Sequence, residues 1–274
     1  MLPTPSTSHV SYDTIYEPAE DSYLFLDTLS SPSETAWLHS RFSASQDNST
    51  GGRTSSPTPF LVELGPGSGV IIAFLTAHAR TLFGRDIVSL GVDVNTYACQ
   101  ATRTTVEKSI AERHGSKDSG GDGADGSSIY LSSVSGDLAT PLRPGEVDVL
   151  IFNPPYVPTD SVPAFPGTSR TGSPPSFEES SHLLSLSYAG GADGMEVTNR
   201  LLARVPEILS ARGVAYILFC RGNKPEEVRA AIARWEGTEQ WKWCAETVGT
   251  SGKTAGWEKL EIVRIWRQGI HEQH

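Results

Sequence analysis

The chain has 274 residues, which is long enough for one large α/β domain or two small ones. Its net charge of −10 weighs against a protein that binds chiefly to a phosphate backbone, because such binding needs clustered Lys and Arg. No apolar run reaches the length of a membrane span, and the cysteines, Cys99, Cys220 and Cys244, lack metal-ligand spacing. These totals predict a soluble intracellular protein without a metal site.

The N-terminal residues 1–14 are polar and rich in Pro and Ser, which predicts a flexible tail. Pro18, Glu20 and Asp21 then precede an apolar helical pattern, and they suit the first turn of a helix. A single domain is expected to span 15–274. Segments rich in Ser, Gly and Pro predict flexible insertions in it near 40–59, 114–127 and 158–181.

Seven apolar runs predict strands at 60–64, 87–92, 129–134, 147–152, 214–220, 241–248 and 259–266. Helical patterns separate most of these strands, and they end near residues 81, 113, 210 and 235. The alternation indicates an α/β fold with a doubly wound, mostly parallel sheet. The short connection between the last two strands favours antiparallel pairing there.

A glycine turn, Gly65-Pro66-Gly67-Ser68-Gly69, follows the first predicted strand and precedes a helix. Its spacing differs from the one that cradles a pyrophosphate, and it has no phosphate-loop lysine. Glu63 stands just before the turn, where it would repel a diphosphate and would suit a ligand that carries an ammonium or a sulfonium. A purely structural turn is the alternative.

Polar side chains end three of the later strands: Asp93, Asp137 and Asn153. Ligands of open α/β sheets bind at the carboxyl ends of the strands, where a carboxylate such as Asp93 can accept both hydroxyls of a ribose. Asp137 could contact a base. Helix capping or turn formation would explain each acid singly, but their occurrence in successive strand-end positions predicts a nucleoside crevice.

The four residues Asn153-Pro154-Pro155-Tyr156 follow the fourth predicted strand. Proline has no N–H group and a fixed φ angle, so this turn is stiff and presents carbonyl acceptors. It suits a planar NH2 group, which could donate to the Asn153 side-chain oxygen and the Pro154 carbonyl while its face stacks on Tyr156. A Pro-rich turn without chemistry is the alternative.

Together these motifs resemble the class I, Rossmann-like, S-adenosylmethionine-dependent methyltransferases, in the group that methylates NH2 nitrogens. Two more motifs, Tyr16-Glu17-Pro18-Ala19-Glu20-Asp21-Ser22 and Ala189-Gly190-Gly191-Ala192-Asp193-Gly194-Met195-Glu196-Val197, resemble the eukaryotic and archaeal HemK-like enzymes. The resemblance implies a seven-stranded sheet with an antiparallel C-terminal strand. It also implies methylation of the glutamine N5 nitrogen in the Gly-Gly-Gln motif of a class-1 translation release factor, in the cytoplasm and also in the nucleus.

Roles for individual residues follow from the same resemblance. Glu63, Gly65 and Gly67 would line the methionine end of S-adenosylmethionine, Asp93 would hold the ribose, and Asp137 and Leu138 would border the adenine. The full set of implied cofactor contacts is Tyr16, Ser22, Glu63, Gly65, Gly67, Asp93, Asp137, Leu138 and Asn153. Asn153, Pro154 and Tyr156 would be catalytic, and Pro155 would join them in the substrate pocket.

The resemblance further implies a heterodimer with a small zinc-binding methyltransferase activator protein. The third strand, near 129–134, is expected at an edge of the sheet, where another chain can add a strand. The protein substrate would be the release factor, alone or bound to its GTPase partner, and no membrane or nucleic acid is expected as a partner.

Other functions fit parts of the pattern. An adenine-N6 nucleic-acid methyltransferase would use the same acceptors, because adenine carries an NH2 group, but the net charge counts against it. A protein-lysine methyltransferase needs a base to deprotonate the amine, and no evident base is present. A cofactor sensor or a scaffold would not need Asn153 and Tyr156.

Overall fold

The computed structural model describes residues 2–42, 56–115, 128–164, 175–252 and 259–270. The strands in these ranges form one sheet in the order β3-β2-β1-β4-β5-β7-β6, with β1 (Phe60–Leu64), β2 (Val88–Asp93), β3 (Ile129–Ser135), β4 (Val147–Phe152), β5 (Leu209–Cys220), β6 (Trp241–Thr250) and β7 (Leu260–Gly269).

The pairing of the strands confirms the predicted fold class. Strands β1 to β5 pair in parallel. The C-terminal strand β7 runs antiparallel to both of its neighbours, β5 and β6. The strand order reverses between β1 and β4, and crevices at such reversals are where ligands bind in doubly wound sheets. Strand β3 lies at one edge, as predicted.

Helices cover both faces of this sheet. In chain order they are α1 (Glu20–Leu29), α2 (Pro32–Phe42), α3 (Val70–Ala77), α4 (Ala79–Phe83), α5 (Thr96–Gly115), α6 (Phe177–Tyr188), α7 (Glu196–Leu202), α8 (Val205–Ile208) and α9 (Pro225–Ile232). None of the helices in the described ranges is long and apolar enough to cross a membrane.

The core consists of two apolar layers, one on each face of the sheet. Strand β4 contributes to both: Val149 and Ile151 join the layer under α1 to α5, while Leu150 and Phe152 join the layer under α7, α8 and α9. Successive side chains of a strand point to opposite faces, so a strand covered on both sides is apolar at nearly every position. The exception in β4 is Asp148, which is buried in an ion pair with Arg212. This arrangement explains why β4 was recognisable as a continuous apolar run.

The structure differs from the sequence prediction in three elements. Helix α2 was not predicted, and α6 begins inside the insertion predicted near 158–181. Its start has a capping box in which Ser176 accepts from the Glu179 backbone and Glu179 accepts from the Ser176 backbone. The helix predicted to end near residue 210 is present as two helices, α7 and α8. Its predicted end is wrong, because β5 already begins at Leu209, which pairs with Val147.

The predicted tail of residues 1–14 packs, over its described part, against the domain. Val10 is buried in a small cluster with Ile15 and Ala98. The Asn95 side chain donates a 2.8 Å hydrogen bond to the Thr14 carbonyl, at the entrance to α5. The end of this segment therefore belongs to the fold. The insertions predicted near 40–59 and 114–127 lie largely outside the described residues.

Candidate active site at the ends of the parallel strands

A cavity of about 270 Å³ lies at the carboxyl ends of the parallel strands, at the reversal of strand order. It is lined by all the residues that the sequence assigned to the cofactor or the substrate: Tyr16, Ser22, Glu63, Gly65, Gly67, Asp93, Asp137, Leu138, Asn153, Pro154, Pro155 and Tyr156. They come from five separate chain segments, and the sheet brings them to one place.

The glycine turn after β1 is held by Asp93 at the end of β2. Gly65 and Gly67 have φ angles of 60° and 55°, in the left-handed region that suits glycine. The Asp93 carboxylate accepts a 3.1 Å bond from the Gly67 N–H and a 2.8 Å bond from the Asn95 N–H. Burial raises the pKa of Asp93 to about 6, although these backbone donors oppose the shift. A carboxylate has about four acceptor positions, so it retains capacity for two hydroxyl groups.

Glu63 is the most deeply buried acid of the site, with 1 % of its surface exposed. Its carboxylate accepts a 2.8 Å hydrogen bond from the Ile72 N–H in the first turn of α3. Burial and, to a smaller extent, the neighbouring Asp93 charge together raise the pKa of Glu63 to about 8, although the hydrogen bond from Ile72 opposes the shift. A cation bound beside Glu63 would favour its ionised form, so this end of the cavity suits a positively charged ligand.

Asp137, which also lines the cavity, forms an ion pair with Arg200 of α7. Leu138, which follows it, has a φ angle of 49°, an uncommon conformation for a residue with a branched side chain. Arg200 lines the cavity, and sequence analysis missed it. Its partner lies 63 positions away, so no local pattern could have indicated the pair.

The Asn153 side chain follows β4 and lines the cavity. Its amide nitrogen donates a 3.1 Å hydrogen bond to the Asp21 carboxylate in the first turn of α1. Its amide oxygen, Oδ1, is buried and has no hydrogen-bond partner in the described part of the chain. Sequence analysis assigned Asp21 only to the helix dipole, and the contact with Asn153 was missed.

The glycines of the motif at 189–194 support the proline turn from behind. A Cβ atom on Gly194 would lie 2.0 Å from the Tyr156 carbonyl oxygen, and one on Gly190 would lie 2.5 Å from the Pro155 oxygen. The Asn223 side chain donates to the Asp193 carbonyl at 3.0 Å and to the Tyr156 carbonyl at 3.4 Å. Only glycine allows such an approach of two backbones.

Helix α6 forms one wall of the cavity, which Leu183, Leu186 and Tyr188 line. Tyr188 is 44 % exposed, and Tyr16, another residue of the lining, is 51 % exposed. Two partly exposed aromatic rings therefore line the cavity. The wall lies in and just after the segment predicted as an insertion, where the Pro, Ser and Gly residues favoured a loop.

Comparison with known proteins finds relatives over nearly the whole chain. The chain is 30 % identical to methyltransferase HEMK2 of Mus musculus, with 96 % of each chain covered. It is 31 % identical to the eRF1 methyltransferase catalytic subunit mtq2 of Schizosaccharomyces pombe, over 98 % of this chain and 97 % of that protein. A putative protein N5-glutamine methyltransferase of Methanocaldococcus jannaschii is 26 % identical over 74 % of this chain and 71 % of that protein. No protein-family model matches the chain.

Proposed function

Because the chain belongs to the HemK-like family of release-factor glutamine methyltransferases, we propose that it methylates the glutamine of the Gly-Gly-Gln motif in a class-1 release factor. The acceptor atom is the side-chain amide nitrogen, N5, and the methyl donor is S-adenosylmethionine. The relatives of this chain include proteins named eRF1 methyltransferase catalytic subunit and putative protein N5-glutamine methyltransferase.

The observation that carries this proposal is the buried Asn153 oxygen without a partner. Leaving a buried acceptor unsatisfied costs about 1–3 kcal/mol, so the site favours a ligand that donates a hydrogen bond there. Pro154 and Pro155 have no N–H group, and their carbonyls can only accept. A glutamine amide supplies two hydrogens in one plane, and its flat face can lie on the Tyr156 ring.

The rest of the cavity fits the cofactor. S-adenosylmethionine supplies an electrophilic methyl group on a sulfonium, and its amino acid end carries an ammonium. Glu63 beside Gly65 and Gly67 suits that positive charge, and the remaining acceptor positions of Asp93 suit the ribose hydroxyls. Asp137 and Leu138 would border the adenine, while Tyr16 and Ser22 line the cavity from the N-terminal side.

The residues of this chain contribute orientation and acceptors to the reaction. Glutamine's amide nitrogen is a weak nucleophile, because its lone pair is delocalised into the carbonyl. Hydrogen bonds from its two hydrogens to Asn153 Oδ1 and the Pro154 carbonyl fix the direction of attack. Positive charge grows on the nitrogen as the N–C bond forms, so these two hydrogen bonds strengthen in the transition state. The transfer would break the S–CH3 bond of the sulfonium and leave a neutral thioether, and one amide proton would then pass to solvent water.

The direct test is transfer of radiolabelled methyl groups to three substrates: a purified release factor, its Gln→Ala variant and a DNA duplex. We expect label only in the release factor that retains the glutamine. Equal labelling of the Gln→Ala variant would refute glutamine as the acceptor. Label in the duplex would support the adenine-N6 alternative.

We also propose that β3 pairs with a small zinc-binding activator protein. Strand β3 is an edge strand, and its backbone groups on the outer side have no neighbouring strand in the described sheet. Ile129 and Leu131, two positions apart and so on one face of the strand, are 56 % and 54 % exposed. An apolar partner that adds a strand would cover both the edge and these side chains.

The site of action that we propose is the cytoplasm, where translation terminates, with the nucleus as a second location. All three cysteines, Cys99, Cys220 and Cys244, are free thiols, as suits a reducing compartment. Imaging of a fluorescent fusion checks this proposal, and retention in an oxidising compartment would contradict it.

A further inference from the structure

Asp21 touches the side chain on which the proposed chemistry depends. It lies in the first turn of α1, is 7 % exposed, and accepts the 3.1 Å hydrogen bond from Asn153 Nδ2. Its second carboxylate oxygen accepts a 2.6 Å hydrogen bond from the Ser22 N–H and a 3.3 Å bond from the Ser22 hydroxyl. Both oxygens are therefore in use, and the carboxylate is fixed to the start of the helix.

This contact determines which way the Asn153 amide faces. A side-chain amide has an NH2 and an oxygen of nearly equal size, so its two orientations differ only in the hydrogen bonds they make. An ionised carboxylate can only accept, and so the NH2 of Asn153 must face Asp21. The oxygen is then directed away from Asp21, where it is buried without a partner in the described residues.

We propose that Asp21 is a positioning residue that keeps the acceptor oxygen of Asn153 directed at the substrate NH2 group. The inference rests on the proposed function, because it concerns the step in which a substrate amide donates to Asn153. With the amide reversed, Asn153 would offer an NH2 group to the substrate's NH2 group. Two donors would then face each other, and the substrate nitrogen would lose its orientation.

The substitution Asp21→Asn tests this role with almost no change in shape. The new side chain keeps only one oxygen, and the Ser22 N–H, at 2.6 Å, retains it as an acceptor. The new NH2 group then faces Asn153 and binds its oxygen, which reverses the Asn153 amide. We expect kcat to fall on the order of 100-fold, the usual effect of one misdirected transition-state hydrogen bond. Cofactor affinity should fall less than kcat, since the glycine turn and Asp93 are untouched.

Asp27→Asn provides the matched control, because Asp27 lies on the same helix with an exposed side chain. It makes the same chemical change on α1 and should leave kcat and cofactor affinity as in the wild type. If the wild type methylates the release factor and Asp21→Asn does so with the same kcat, the inference is overturned. Absence of methylation by the wild type would instead overturn the proposed function.

A double-mutant cycle separates positioning from a general loss of structure. If Asp21 acts through Asn153, then adding Asp21→Asn to Asn153→Ala should lower single-turnover methyl transfer no further than Asn153→Ala alone. An additive loss would show that Asp21 acts by another route and would overturn the inference.

A readout that needs no substrate is the side-chain NH2 signal of Asn153 in a nitrogen-15 NMR spectrum, assigned by its loss in Asn153→Ala. In the wild type and in Asp27→Asn, the Asn153 Nδ2 hydrogen that is donated to the Asp21 carboxylate should be protected from exchange with water. In Asp21→Asn this protection should disappear. Unchanged Asn153 signals in Asp21→Asn would contradict the proposed reversal.

Discussion

Glu63 is the residue of the site whose chemistry depends most on its surroundings. It is an acid placed where water cannot stabilise its charge, and its pKa rises from 4.5 to about 8. In the cofactor-free protein it therefore holds its proton at neutral pH. Binding of a cation beside it would release that proton, so cofactor binding should strengthen as pH rises from neutral toward about 8.

The raised pKa of Glu63 also predicts how stability depends on pH. A carboxyl whose pKa is higher in the folded than in the unfolded state stabilises the fold below its unfolded pKa, and this contribution is lost as pH rises through the folded value. The cofactor-free wild type should therefore lose stability between pH 4.5 and about 8. Glu63→Gln, which cannot ionise, should lose less over the same range.

The measurement is a series of thermal unfolding curves of both proteins without cofactor. Asp93, with a pKa raised to about 6, contributes in the same direction in both and cancels from the comparison, so the difference between them should grow as pH rises to about 8. Parallel pH profiles for the wild type and Glu63→Gln would show that Glu63 is not the buried acid described above.

Single residues also show how far a sequence can be used to find a site. The acids at strand ends and the proline turn could be predicted, because each one stands at a fixed place relative to an apolar run. Asp21, Arg200 and Asn223 could not be assigned their contacts. Their partners lie 132, 63 and 67 positions away, and only the folded sheet brings them together.

At the scale of elements, the backbone of the motif at 189–194 packs directly against the backbone of the proline turn. Gly194 has a φ angle of 68°, and an added Cβ would overlap the Tyr156 carbonyl. Gly194→Ala should therefore displace the turn and lower kcat strongly. Gly252→Ala is the control, because a Cβ there meets nothing within 4 Å. Steady-state kinetics of both variants check the prediction, and full activity of Gly194→Ala would contradict it.

Helix α2 is attached to the sheet by a buried acid. Glu34, 3 % exposed, accepts a 2.6 Å bond from Arg264 of β7 and a 2.8 Å bond from the Tyr216 hydroxyl of β5. Arg264 also stacks on the Trp37 ring of α2, 4.2 Å from its centroid. This helix could not be predicted, because its first turn is polar, its apolar pattern is weak, and its buried acid binds partners distant in sequence, on β5 and β7.

Removal of Glu34 would take one hydrogen-bond acceptor from the buried Arg264 guanidinium and one from the buried Tyr216 hydroxyl. Breaking one side of a buried ion pair typically costs about 3–5 kcal/mol, so Glu34→Ala should lower the free energy of unfolding by that order. Glu207→Ala removes an exposed pair with Arg204 and should cost less than about 1 kcal/mol. Urea unfolding measures both. Equal costs would contradict the structural role given to Glu34.

The scale of elements also explains which secondary structure was predictable. Strands covered on both faces, such as β4 and the apolar half of β5, were clear from sequence. The first residues of β5 could not be recognised as a strand from sequence. They pair with β4 across a register shift between Val147 and Val149, which only the structure shows. Helix α6 had a readable capping box at Ser176, but the surrounding Ser and Pro residues favoured a loop.

For the whole molecule, the proposed partner on β3 should govern how the chain behaves in solution. The chain expressed alone should be poorly soluble, and co-expression with the activator protein should correct this. Leu131→Arg on the exposed edge should abolish co-purification, because a charge would enter an apolar interface. Phe177→Arg changes another exposed apolar side chain, 89 % exposed, and should not affect co-purification. A soluble and fully active monomer would contradict the proposed heterodimer.

The central claim is that one cavity brings a methyl donor to a glutamine amide held by Asn153. The most direct measurement is mass spectrometry of a release factor after incubation with the protein, its activator and S-adenosylmethionine, with fragmentation that locates the methyl group. The account predicts one methyl group on the side chain of the glutamine in the Gly-Gly-Gln motif, and its loss with Asn153→Ala. A methyl group on lysine, or none on that glutamine, would contradict it.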